Sequence, residues 1–204
     1  MKPAQILHAR TKAYARDSSW KSWWCILSTT FFLAAAVTGT LPWWPLAPRI
    51  VCSVLSGLLI VRLFVIYHDH QHRAILPKSR LAAIYMRITG ILLVCPNAVW
   101  RSSHDYHHSH NCKLRNASIG SFPIMTTEQY RQTSFAERML YLFMRHPITI
   151  LFGYFTVFIY GMVIQPFFES PRKNIDSVPT ALVLGAIITG LVGCPPFRGR
   201  IRLG

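Results

Sequence analysis

The chain has 204 residues, of which 51% are hydrophobic, and a formal net charge of +15. One globular domain could have that length, but the apolar residues lie in runs without charge, which leaves too little polar chain to cover them as the core of a soluble fold. The basic residues flank those runs and form no basic helix with interleaved aromatics, which argues against a nucleic-acid partner and for anionic lipid head groups.

Residues 1–20 are polar and basic, with Lys2, Arg10, Lys12 and Arg16, and predict an interfacial helix. They are not a cleavable signal, because the run that follows is itself long enough to span. A helix needs about 20 apolar residues to cross the hydrocarbon core. Four stretches qualify: 22–41, 50–67 (with one charge, Arg62), 147–168 and 177–197. Between the first two, "LPWWPLAP" places Trp43 and Trp44 at the level of the interface belt, and its three prolines cannot continue a helix. The run 81–100 is apolar but interrupted by Arg87, Gly90 and Pro96, so it predicts a helix lying in or dipping into the interface. "FAERMLYLFMRH", 135–146, has apolar residues at helical spacing and predicts a surface helix.

Lys and Arg concentrate in cytoplasmic loops. The N-terminus is basic, the middle segment carries Arg73, Lys78, Arg80, Arg87 and Arg101 among others, and the link before residue 50 has only Arg49. The expected fold is therefore all-α: one membrane domain over 1–204, with two transmembrane helical hairpins, a cytoplasmic segment 68–146 and cytoplasmic interfacial helices. The five cysteines make no CxxC pair, and four lie in or beside apolar runs, so reduced thiols and no disulfide framework are expected.

Seven of the nine histidines fall in two short clusters, within "YHDHQH" at 67–72 and around "HDYHH" at 104–108. Helical residues three or four apart share a face. His68 and His72 therefore point together with His70 nearly opposite, and His104 shares a face with His107 and His108. These five imidazoles, at the cytoplasmic edge of the membrane, can converge on metal. Imidazole suits Zn, Cu, Fe and Ni. A hydrolytic zinc site would want three protein ligands and usually a carboxylate base, fewer imidazoles than are present. Two metals in a larger histidine shell fit better, and iron is the natural choice for oxygen chemistry on an unactivated hydrocarbon. Asp69 and Asp105 are candidate acceptors behind a histidine of the opposite cluster. His70 is expected to face solvent or a neighbour, and His8, His110 and His146 to be ordinary interfacial residues.

"HDHQH" resembles the first HxxxH box of the membrane fatty acid desaturases, and "HDYHH" their second, HxxHH, box. The contexts "RLFVIYHDHQH", "WRSSHDYHH" and "IGSFPIMT" look most like bacterial members, and the likeness runs over about residues 20–190. The resemblance implies a di-iron centre that activates O2 and removes two hydrogens from an acyl chain, with His68, His72, His104, His107 and His108 as iron ligands. It implies an acyl-lipid or acyl-CoA substrate, and electrons from ferredoxin or cytochrome b5. It also implies residence in the inner (plasma) membrane of a bacterium, with the boxes facing the cytoplasm. A membrane hydroxylase or ketolase of the same di-iron superfamily is the alternative enzyme. The family's third histidine box is expected after the second hairpin, and no histidine follows His146. A desaturase cut short before that box is the expectation, and a truncated, inactive membrane protein the non-enzymatic alternative.

Overall fold

The computed structural model describes residues 3–11, 16–110, 124–170, 172 and 175–193, and among them there is helix and connecting turn but no strand. The chain divides into two compact units, drawn from Met1–Thr89 and from Gly90–Val192.

The first unit opens with α1, Pro3–Thr11, followed by α2, Ser19–Gly39, and α3, Leu46–Gln71. With 21 and 26 residues, α2 and α3 are the helices among the described residues that are long and apolar enough to cross a membrane. Phe31, Phe32, Val54, Leu58 and Val61 stand exposed on them. That much bare apolar surface is what a lipid-facing helix presents. The two pack side by side, and at Gly39 an added Cβ would collide with Cys52 Sγ. The Arg49 side chain closes the link between them by donating from Nε to the Thr40 carbonyl at 3.2 Å.

The core of this unit is Ile26, Leu63, Ile66, Tyr67, Ala82 and Met86. α4, Arg80–Leu92, is tied to α2 by a hydrogen bond between Thr30 Oγ1 and the Tyr85 hydroxyl. Asp17 bridges two distant stretches. One of its oxygens accepts from Ser22 Oγ at 2.6 Å and the other from the Leu76 N–H at 2.9 Å. The second bond holds the turn after α3, where Leu76 has φ 45°.

The second unit holds α5, Asn97–Ser109; α6, Thr127–Gln132; α7, Phe135–Arg145; α8, Pro147–Leu151; a π-helical stretch, Tyr154–Ile164; α9, Gln165–Glu169; and α10, Ser177–Gly193. Both α6 and α7 start with capping boxes, Thr126 with Gln129 and Ser134 with Glu137. Two hydrogen bonds from Ser134, side chain and backbone, hold the Glu137 carboxyl below its ordinary value.

The expected span 147–168 is not one helix. It divides into α8, the π-helical stretch and α9, with a turn at Phe152. The expected span 177–197 is helical through Gly193, which gives 17 residues, and its last four positions lie outside the described residues. The run 81–100 is likewise divided, between α4 and α5, at residues 93–96. Apolar composition does not mark where a helix must break or start, and Pro96, Pro147 and Pro166 each require one or the other.

Candidate metal centre

The first histidine cluster is part of a helix. The apolar pattern predicts an end at Tyr67, yet α3 continues through Gln71, so His68, Asp69 and His70 occupy its final turn. The helix closes on itself at Arg73, which has φ 58°. The Ala74 N–H donates to the Asp69 carbonyl at 3.0 Å and the Arg73 N–H to the His70 carbonyl at 2.9 Å. This is the paired bonding of a Schellman ending, with arginine where glycine is usual.

On that frame His68 and His72 come together, ring centroids 4.5 Å apart at 70°. The His68 Nδ1–H donates to the Asp69 carboxylate at 3.1 Å. Asp69 thus serves its own neighbour, where the sequence suggested a partner in the other cluster; a carboxylate one residue on reaches that ring without any tertiary contact. The bond fixes the tautomer, with the proton on Nδ1 and the lone pair on Nε2, the form in which an imidazole can bind a metal through Nε2. His70 turns away, its Nδ1–H donating to the Ile75 carbonyl at 3.1 Å.

The second cluster lies on α5. Its start is set by another Schellman ending, that of α4, in which the Cys95 N–H donates to the Gly90 carbonyl at 2.7 Å and the Val94 N–H to the Ile91 carbonyl at 3.1 Å. Val94 has φ 58°, an outlier for a β-branched residue. Pro96 then supplies the N-cap, and Val99 and Ser103 turn into the interior. His104 and His108, one turn apart, face each other edge to face at 82°, with their Nε2 atoms 3.1 Å apart. His107 stands beside them, its ring centroid 6.1 Å from that of His104 and 5.7 Å from that of His108. Asp105 is exposed. Within each of the pairs, His68 with His72 and His104 with His108, the potential ligand nitrogens lie within 4.8 Å.

Other histidines have structural work. His110 stacks on Tyr106 at 3.9 Å and donates from Nδ1 to the Tyr106 carbonyl at 3.0 Å. His146 accepts from the Ile148 N–H at 3.3 Å and so caps α8. One residue that the sequence reading missed is Trp100, whose ring stacks on His104 with centroids 4.7 Å apart and planes within 17°. Its four-residue spacing from His104 was the available signal.

A donor set of imidazoles alone suits a borderline first-row metal. Two ring nitrogens at about 2.1 Å from one ion and at right angles to each other would be about 3.0 Å apart. The His104–His108 separation of 3.1 Å matches that distance.

Comparison with known proteins finds likeness over part of the chain. The chain is similar to a fatty acid desaturase of Bacillus subtilis, 26% identical over 143 residues, covering 70% of this chain and 40% of that protein. It is similar to the sn-1 oleoyl-lipid 12-desaturase of Synechocystis, 25% identical over 149 residues, covering 72% of this chain and 41% of that protein. It also resembles the chloroplastic omega-6 fatty acid desaturase of Glycine max, 30% identical over 97 residues, 47% of this chain and 22% of that protein. The chain therefore spans about two fifths of the length of the first two relatives. No family model and no solved structure matches it.

Proposed function

We infer, from its likeness to curated fatty acid desaturases, that this chain is a member of that family and carries the histidine ligands of an O2-dependent acyl desaturase in a membrane. The observation that carries the reading is the pair of facing imidazoles on α5, 3.1 Å apart at Nε2, together with the second pair at the end of α3. His68, His72, His104, His107 and His108 are the proposed iron ligands. The iron pair, when bound, supplies the oxidation: a –CH2–CH2– segment, O2, two electrons and two protons become –CH=CH– and two waters. A one-electron carrier such as ferredoxin or cytochrome b5 provides the electrons.

The protein's own contribution is placement. The 26 residues of α3 extend about 39 Å. A hydrocarbon core of about 30 Å leaves the last turns, and with them the histidines, at the polar edge. Acyl chains end there in their head groups, so a site at this depth takes its substrate from the lipid or an acyl-CoA at the surface. Asp69 holds one ring in the tautomer that puts the proton on Nδ1 and the lone pair on Nε2. The concentration of Lys and Arg in the N-terminus and the middle segment puts this edge on the cytoplasmic side. In this topology α2 and α3 form the first transmembrane hairpin and α10 belongs to the second. α7, with Phe135, Leu140 and Phe143 exposed and Arg138 and Arg145 at its flank, lies along the cytoplasmic surface.

Iron content of the purified protein tests the ligand set. Replacing His68, His72, His104 or His108 with Ala should weaken iron binding by at least the 10- to 100-fold typical of losing a supporting group. His70→Ala and His146→Ala should leave it unchanged. Equal losses across all six variants would sink the assignment. A chimera in which this chain replaces the matching stretch of the Bacillus subtilis relative tests the reaction. It should form unsaturated fatty acids in cells, and a chimera that binds iron without doing so would refute desaturation.

A further inference from the structure

We propose that Trp100 is a positioning residue that fixes the plane of the His104 ring and thereby aims its Nε2 at the metal. This rests on the reading of His104 as a ligand. The χ2 torsion of a histidine is broad, because it joins an sp3 to an sp2 carbon. A neighbour lying flat on the ring's face narrows that torsion, and Trp100 is such a neighbour. The centroid distance of 4.7 Å and the 17° between planes are those of an offset stack. The stack covers a face of the imidazole and leaves its edge, which carries the nitrogens, open toward His108.

Helix geometry makes the arrangement continuous. Trp100, His104 and His108 follow one another at four-residue steps, so indole, first imidazole and second imidazole lie along one face of α5. Val99 and Ser103, on the buried side, set the rotation of the helix. An imidazole bound to a cation carries part of its charge, and an electron-rich indole face stabilises that state over the unbound one. The stack thus favours the metal-bound ring as well as aiming it.

Cobalt(II) binding to the full chain tests this, because its visible absorption bands report ligand geometry. Trp100→Phe keeps an aromatic face and should retain affinity and band shape. Trp100→Leu removes the face and should weaken cobalt binding about 10-fold and shift the bands. Helix content by circular dichroism should match wild type in both. His104→Ala is the control for the underlying reading. If it leaves cobalt binding intact, the ligand assignment fails. If it abolishes binding while Trp100→Leu matches wild type, the positioning role alone is overturned. Equal losses in the Phe and Leu variants would also overturn it, because side-chain bulk rather than an aromatic face would then hold the ring.

Discussion

Arg73 and Val94 keep a left-handed backbone, at φ 58° each, without being glycine. A side chain in that region costs roughly 1–2 kcal/mol, and glycine's extra unfolded freedom returns about 0.5–1 kcal/mol of that. Arg73→Gly should therefore stabilise the protein by about 0.5–1 kcal/mol, seen as a rise in midpoint when helix content is followed on heating in detergent. A lower midpoint would mean that the arginine side chain makes a contribution larger than its strain. Val94 is different, because only 2% of it is exposed, and glycine there would give up a buried side chain in exchange for the relief. Neither turn was legible in the sequence. The usual signal for a left-handed helix ending is a glycine, and both positions lack it. The histidine pairs were legible, since four-residue spacing on a helix is enough to place His68 with His72 and His104 with His108.

Two helices, α2 and α3, carry most of what the hydropathy pattern promised. Both began three or four residues earlier than the apolar runs suggested, and α3 ran four residues past its apolar limit. Polar residues at a span's end keep the helical backbone while breaking the apolar pattern, so composition finds the buried length and not the helix. The run 147–168 failed in the opposite way: it is uncharged throughout, yet it turns at Phe152 and carries Pro166 at the start of α9. If α2 leads out and α3 returns, a reporter fused after residue 45 reads as external and one fused after residue 110 as internal. An external signal at 110 would refute the proposed cytoplasmic placement of the second histidine cluster.

Across the molecule the six tryptophans are unevenly divided. Trp20, Trp23, Trp24, Trp43 and Trp44 lie in the first unit, and Trp100 alone lies in the second. The stack on His104 therefore provides an optical gauge of the proposed metal site. Subtracting the emission of a Trp100→Phe protein from that of wild type isolates the light of one indole. An iron ion held by the stacked imidazole offers the excited ring a route to lose its energy without emitting. That isolated emission should fall in proportion as iron is added, level off at saturation of the site, and stay constant in a His104→Ala, His108→Ala protein. Emission indifferent to iron in the wild-type chain would mean that no metal sits beside the stack. Where the emission does fall with iron, occupancy can be followed without a label.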